Sequence, residues 1–516
     1  MRSLSPPLAV ARQPFICAVP QVWSSRLALI GITLLGFGLR LPLVDRFPLR
    51  EDEALYGYWA LYFAHNDPLW LHVWPDKPPL FLWLLAAAFH WLGPSQASAQ
   101  LLNCAISTLT IPLVAAIANC LWGRQTALLA ALAMSLNPFA ISFAATAFTD
   151  PLLVLAGLLS LLAALRRRPF WAGLWLGAAI MTKQQGVLYT PLVVALYCCA
   201  LPAAERLKFG RYWPFGAGLA ALCLPIVYWD SLRWAVAPSP WALSVAHYGV
   251  LTVAPPATWP SRLAAWFELV WQLAASWPVW IGLAALAGGW LWQRLTSRPD
   301  AGCAGEKTAL QGNAARRVYS QTIPTGHALL IAILGMWASG FLLLHLITTV
   351  QVWDRYLLPL APMLALAVAG LAGHWLGSRA ASRRGLALAL VCLLGWSPAV
   401  AAAQGRLPIG SDHGAYQGLR EAISWLHTTA PDGVVLYHQT LGWHYQFYLF
   451  DDIAAGRYDL RWFPSAVYLA DSAVKAPHRQ RVLLVPDWAP VPALAQQLAV
   501  RGLTEDTGHR FGNFML

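Results

Sequence analysis

Long apolar stretches recur along this chain between residues 25 and 403, and they leave it few folds other than a bundle of membrane-crossing helices. A hydrocarbon core about 30 Å thick asks for roughly 20 apolar residues per helical crossing. Stretches near that length lie at residues 25–45, 100–121, 125–143, 150–165, 169–183, 186–203, 213–229, 270–293, 326–350, 357–376 and 385–403. A soluble chain of 516 residues has no need of such repetition. The expected fold class is an all-α polytopic membrane protein with about eleven transmembrane helices. Many of the 28 Trp residues stand near the ends of these stretches (Trp122, Trp171, Trp213, Trp229, Trp375), where indole rings favour the membrane interface.

Charge placement supplies the orientation. The net charge is +12, but the basic residues fall mainly in short loops, which excludes the basic, aromatic-interleaved patch of a nucleic-acid binder. Arg166, Arg167 and Arg168 form one group; Arg206, Lys208 and Arg211 a second. Arg294, Arg298, Arg316 and Arg317 form a third, and Arg379, Arg383 and Arg384 a fourth. All four groups fall on one side if each stretch crosses once. The positive-inside rule then puts them and the N-terminus in the cytoplasm. Residues 1–24 read as a loose cytoplasmic lead without a signal-peptide pattern. Most of the eight Cys lie inside apolar stretches without metal-ligand spacing, and read as small buried hydrophobes.

Residues 78–93 are apolar but cover only roughly 24 Å as a helix. If they crossed, every later basic loop would change sides. Residues 51–65 and 78–93 are therefore expected as helices along the outer interface, within an outer loop over 46–99 of the 25–403 transmembrane domain. After residue 404 the composition becomes that of a soluble protein. Residues 414–433 read as an amphipathic helix ending at a Pro-Asp-Gly turn. VVLYH and RVLLVPD read as buried strands, with a helix in PALAQQLAVRG. A small soluble α/β domain over 404–516 is expected on the outer face.

The topology gathers charges from five separate stretches onto that face: Asp52, Glu53, Asp76, Lys77, Asp150, Lys183, Asp354 and Arg355. Charges beside hydrocarbon are expensive and call for a reason. Each also has a plainer explanation. Asp52-Glu53 suits a helix N-terminus, Thr149-Asp150-Pro151 an N-cap and first turn, and the cations suit snorkelling at the interface. As chemistry, Asp52 suits a general base, Lys77 and Arg355 a phosphate clamp, and Asp150 a second acid or a partner of Asp52 around a divalent cation. His247 and Tyr248, in the outer loop 231–269, are open to substrate contact. No nucleotide-binding loop, nucleophile elbow or H-E-x-x-H motif is present.

Four local patterns resemble a known family. They are Asp52-Glu53-Ala54-Leu55-Tyr56; Asp76-Lys77-Pro78-Pro79; AFTDPLLV with Asp150, followed by Thr182-Lys183; and Arg355-Tyr356-Leu357-Leu358-Pro359. In order and spacing they resemble the multi-spanning glycosyltransferases with lipid-phosphate sugar donors. That is the protein O-mannosyltransferase superfamily, which includes the bacterial aminoarabinose transferases. The resemblance implies a GT-C fold and a polyprenyl-phosphate-sugar donor, with a lipid, glycan or protein acceptor. It implies Asp52 as catalytic carboxylate beside Glu53, and Asp150 as the second acid. It implies Lys77 and Arg355 at the donor phosphate, Lys183 helping, and Tyr56, Asp76 and Tyr356 in substrate contact. A divalent cation, with Asp52 and Asp150 as candidate ligands, stays open. The chain departs from the pattern at Leu55, where the aminoarabinose transferases carry a basic residue, and at Gln184, where Gly is common. The expected activity is inverting sugar transfer at the outer face of the cytoplasmic membrane. The alternatives are a transporter or flippase of lipid-linked saccharides, whose charges would sit nearer the midplane, and a non-catalytic scaffold.

Overall fold

Apolar stretches become helices here, and Pro and polar residues set where those helices stop. The computed structural model describes residues 21–65, 67–249, 252–296, 326–376, 381–475, 479–504, 506 and 508–516. Residues 1–20 of the expected N-terminal lead lie outside the described residues, as do Arg298, Arg316, Arg317 and Arg379 of the expected cytoplasmic loops.

Helix α1 (Gln21–Arg40) leads to α2 (Glu51–His65) and α3 (Leu80–Leu92), and α4 (Gln96–Trp122) runs back along the bundle. The expected single helix over 125–143 is two helices, α5 (Arg124–Ser135) and α6 (Pro138–Ser142). Pro138 cannot donate to the helical ladder, and the Asn137 side chain starts a new helix by accepting from the Ala140 N–H at 2.8 Å. Next come α7 (Asp150–Leu165) and α8 (Pro169–Thr182), then a 3-10 turn over Gln184–Tyr189 that shortens the 186–203 stretch to α9 (Thr190–Ala200). Helix α10 (Trp213–Ser231) is followed by α11 (Pro240–Tyr248) and α12 (Trp259–Trp271). The 270–293 stretch begins as helix only at α13 (Trp277–Thr296). Helix α12 meets it at a 95° bend, with Ala275 at φ 48° in the turn between them. Helices α14 (His327–Ile347), α15 (Leu360–Leu376) and α16 (Ala381–Ala403) complete the bundle.

Among the described residues six helical stretches are long and apolar enough to cross a membrane, or seven with the bent α12–α13 pair as one span. Helices α3, α7 and α8 are apolar and shorter. The protein is a multi-pass membrane protein. Tight crossings hold the bundle. A Cβ on Gly173 of α8 would lie 1.9 Å from the Phe215 carbonyl oxygen of α10, and one on Gly218 would lie 1.9 Å from the Phe170 carbonyl oxygen. Small residues on both helices bring the backbones into contact, the usual solution where lipid removes the hydrophobic drive between helices.

Among the described residues the strands all lie beyond residue 433. Helix α17 (Leu419–Thr429) precedes β1 (Val434–His438). Helices α18 (Gly442–Tyr448) and α19 (Phe450–Ala454) lead to β2 (Tyr458–Trp462), and α20 (Ala466–Val474) to β3 (Arg481–Leu483). The order β2-β1-β3 is parallel throughout. The expected strand RVLLVPD divides: β3 ends at Leu483 and β4 (Val485–Pro486) joins a second sheet. After α21 (Leu494–Ala499), β5 (Arg510–Phe511) and β6 (Phe514–Met515) complete that antiparallel sheet in the order β4-β6-β5.

This α/β region is bolted to the start of α2. His444 Nε2 donates to the Leu49 carbonyl at 2.9 Å, and the Leu49 N–H donates to the Tyr448 hydroxyl at 3.2 Å. Tyr448 in turn donates to Gln96 Oε1. Phe447 lies so close to Gly57 of α2 that a Cβ there would come within 2.6 Å of its ring.

Candidate active site

Three chain turns and two helix starts converge beside α2. Asp52 sits in the first turn of α2, and Asp150 is the first residue of α7. Lys77 precedes the two prolines that open α3. Lys183 takes an extended conformation (φ −157°, ψ 138°) where α8 ends. Arg355 lies in a 3-10 turn, Asp354–Leu357, ahead of α15. The fold brings these together as three cation–carboxylate pairs. Arg355 Nη2 donates to Asp52 Oδ2 at 2.6 Å. Lys77 Nζ donates to Asp76 Oδ1 at 2.8 Å, and Lys183 Nζ to Asp150 Oδ1 at 2.6 Å. Lys183 also lies within electrostatic range of Arg355 and Lys77, so the pairs share one site.

Each cation rests on an aromatic face, which stabilises a desolvated charge. Arg355 is 4.6 Å from the Phe148 ring centroid, Lys183 4.2 Å from Tyr356 and Lys77 4.4 Å from Tyr248. Asp76, Lys77, Asp150, Lys183 and Arg355 are all buried. Burying ion pairs gains little stability over an apolar core, so three together make this the candidate site. Asp52 differs: its side chain keeps 37% of its exposure while Arg355 keeps 6%. Of the three paired carboxylates, the one open to an incoming group is thus the one expected to act as base.

The plainer explanation holds for Asp52 and Glu53, which stand in the first turn of α2, while Asp150 and Lys77 make other contacts. Thr149 makes no capping bond for α7, and Asp150 engages Lys183. Lys77 does not snorkel; its second hydrogen-bond partner is the Tyr248 hydroxyl at 3.0 Å. His247 Nδ1 lies 3.1 Å from Asp76 Oδ2. Burial alone would raise the Asp76 pKa, but Lys77, His247 and Tyr248 outweigh it and hold the carboxyl below its usual range. Gln184 donates to the Asp76 carbonyl at 3.3 Å, so this departure from the family pattern ties the Lys183 turn to the Lys77 turn.

Glu53, expected to act beside Asp52, is held by the backbone. Both its oxygens accept from backbone N–H groups, Oε1 from Ala147 at 2.5 Å and Oε2 from Arg50 at 2.8 Å. The second bond is half of a capping box; the first fastens α2 to the loop that carries Phe148 and Asp150. Burial pushes Glu53 up to about 7 against the pull of those donors. Tyr56 and Tyr356 line the same site, and burial, first of all, raises the Tyr56 phenol. Arg50 went unrecognised in the sequence. It stands 3.5 Å from Asp354 and 5.4 Å from the centroid of the Phe148 ring, which Arg355 also faces. Its only sequence signal was its place directly before the acidic run.

The two candidate metal ligands are each matched by a cation already, Asp52 by Arg355 and Asp150 by Lys183. Among the described residues no three His, Cys, Asp or Glu side chains converge as a metal site.

The fold is that of a polytopic membrane protein, mostly helical, with a small C-terminal α/β region. Residues 76–229 match the family described as dolichyl-phosphate-mannose-protein mannosyltransferase, the superfamily that the four local patterns resemble. The fold is shared with ArnT from Cupriavidus metallidurans. Bound to undecaprenyl phosphate, that structure is 16% identical, with 96% of this chain and 98% of that chain covered at a TM-score of 0.62. In the apo state the values are 16%, 96%, 97% and 0.63. The apo oligosaccharyltransferase of Archaeoglobus fulgidus is 13% identical over 94% of this chain and 73% of its own, with a TM-score of 0.51. No curated protein matches the chain.

Proposed function

We propose that this protein transfers a sugar from a polyprenyl-phosphate donor to an acceptor hydroxyl, at the extracytoplasmic face of the cytoplasmic membrane and with inversion at the anomeric carbon. The observation that carries this reading is the Asp52–Arg355 contact at 2.6 Å. It puts the most exposed of the paired carboxylates against a guanidinium suited to two phosphate oxygens, with Lys77 and Lys183 in the same field.

The donor phosphate sits among Arg355, Lys77 and Lys183, which stabilise the charge that builds on it as the bond to the sugar breaks. The acceptor O–H attacks the anomeric carbon, the C–O bond to phosphate breaks with its electron pair going to the phosphate, and Asp52 takes the acceptor proton. One displacement inverts the centre. A lipid phosphate leaves readily, so no strong general acid is needed. Asp150 holds Lys183 in place for the phosphate, and Glu53 holds α2 and the Asp150 loop in register.

A lateral path for the lipid supports the reading. An apolar groove of about 410 Å³ lies between α9 and α14, lined by Leu188, Leu192, Trp337, Phe341 and Leu344. Its end adjoins His345, whose ring lies 6.2 Å from that of Tyr356. The family matched over 76–229 is named for a dolichyl-phosphate-mannose donor, and the ArnT structure of like fold carries undecaprenyl phosphate. The test is transfer of radiolabelled mannose from undecaprenyl-phosphate-mannose by the purified full chain in nanodiscs, with Asp52→Asn alongside. Transfer by the wild type and none by the variant is expected; full activity in Asp52→Asn rules the base out.

A further inference from the structure

The donor half of the site comes from the helical bundle, and the C-terminal α/β region sends one loop to its edge. The loop 410–416 meets the turn that carries Arg355. Its Gly410 N–H donates to Asp354 Oδ2 at 3.1 Å, beside Arg355. The Tyr416 N–H donates to Asp412 Oδ2 at 2.8 Å, which sets the turn. The Tyr416 ring packs 4.5 Å from that of His444, the residue bonded to Leu49 just ahead of α2. The loop is therefore anchored both to the turn carrying Arg355 and to the helix carrying Asp52.

That anchoring places a defined polar group. The Tyr416 phenol lies within electrostatic range of Glu51, Arg50 and Asp52, and among the described residues its hydroxyl makes no hydrogen bond. On its other side the ring meets Trp488 edge-on at 5.7 Å. The Trp488 indole N–H is fixed by the Ala415 carbonyl at 3.0 Å, while the residue stays 45% exposed. A rigid exposed indole, a tyrosine hydroxyl without a partner among the described residues and the exposed Glu51 carboxylate side by side form a surface for a sugar. The C–H face of a pyranose packs on an aromatic ring while its hydroxyls take polar partners.

The geometry points to Tyr416 and Trp488 as an acceptor subsite that binds a saccharide and holds one of its hydroxyls toward Asp52. This rests on the glycosyltransferase reading and adds to it the acceptor class and its binding residues. Tyr416 positions the acceptor and takes no proton itself; the reacting carboxylate remains Asp52. The donor cations lie on different elements, so the two half-sites separate by mutation.

The experiment uses the full chain in nanodiscs, undecaprenyl-phosphate-mannose as donor and octyl mannoside as acceptor, with slow donor hydrolysis by water as internal reference. Tyr416→Phe keeps the ring between His444 and Trp488 and removes one hydroxyl. It is expected to raise the acceptor KM about three- to tenfold, the range for one lost hydrogen bond, with undecaprenyl phosphate affinity and the hydrolysis rate unchanged. Trp488→Ala should raise the same KM and also leave hydrolysis alone. An unchanged acceptor KM in both variants, in an enzyme whose wild type transfers mannose, overturns the subsite and leaves the transferase reading standing. A fall in undecaprenyl phosphate affinity equal to the fall in acceptor affinity overturns it too, since that is the mark of a disturbed fold. A wild type that neither transfers nor hydrolyses removes the transferase reading and the subsite together.

Discussion

Arg355 and Asp52 are 303 residues apart in the chain and 2.6 Å apart in the fold. On the proposed reading the guanidinium has two claimants, the Asp52 carboxylate and the donor phosphate; a shift of Arg355 toward phosphate would take the counter-charge from Asp52 and make it a better proton acceptor. Asp52→Asn keeps the shape and removes the base. Its transfer rate should fall by roughly 10²–10⁴, the usual contribution of a positioned general base, while thermal unfolding shows an intact fold. A fall in undecaprenyl phosphate affinity without a fall in rate would contradict this role.

The phosphate clamp predicts an asymmetry between two substitutions at one position. Arg355→Lys keeps a charge but loses the planar fork. Arg355→Ala loses both and strands Asp52. Loss of one charged hydrogen bond is worth about 1.5–3 kcal/mol, so undecaprenyl phosphate binding should weaken at least tenfold in Arg355→Lys and further in Arg355→Ala and Lys77→Ala. Equilibrium binding of undecaprenyl phosphate to the variants measures this directly. Equal affinity in all four proteins would remove these residues from the phosphate.

Much of this site was legible before the fold. Charge is so costly beside hydrocarbon that Asp52, Lys77, Asp150, Lys183 and Arg355 stood out against an apolar background, and loop parity put them on one face. What could not be read was who meets whom. The pairings Asp150–Lys183 and Asp76–Lys77 depend on the turns between helices, and nothing local predicted that both oxygens of Glu53 would be taken by backbone N–H groups. The break at Asn137-Pro138 and the bend before Trp277 were hidden inside unbroken apolar composition, since hydropathy counts side chains and ignores the missing proline N–H. In the α/β region, strand β2 (YDLRW) was missed because its side chains are mostly half exposed, which leaves no apolar run to find.

Glu53 predicts a pH dependence of stability with a definite sign. Burial raises its pKa from 4.5 to about 7. Between those values the folded protein holds a proton that the unfolded chain has released, so this residue makes stability fall as pH rises through the window. The slope from one proton is at most about 1.4 kcal/mol per pH unit, and it vanishes above about pH 7. Glu53→Gln cannot ionise, and should flatten the curve between pH 4.5 and 7. Unfolding midpoints of the full chain across that range, with and without the substitution, decide it. An identical slope in the variant would assign the titration to another group.

The contact between Gly57 and Phe447 links the C-terminal region to catalysis, and a pair of glycine substitutions tests the link. In an exposed helix interior, Gly→Ala stabilises by up to about 1 kcal/mol through backbone entropy. A methyl group added to Gly31 of α1 would meet nothing within 4 Å, whereas one added to Gly57 would meet the Phe447 ring at 2.6 Å. Gly31→Ala should therefore be neutral or slightly stabilising. Gly57→Ala must displace Phe447 or α2, an overpacking that costs about 1–3 kcal/mol. The displaced element is either the helix that carries Asp52 or the one that holds it, so transfer should fall more in Gly57→Ala than its loss of stability explains. Phe447→Leu in the same chain shortens the opposing side chain and should restore part of the rate. Unfolding midpoints and initial rates of the two single variants and the double variant give the comparison. Equal behaviour of Gly31→Ala and Gly57→Ala would mean that the C-terminal region does not brace the α2 helix.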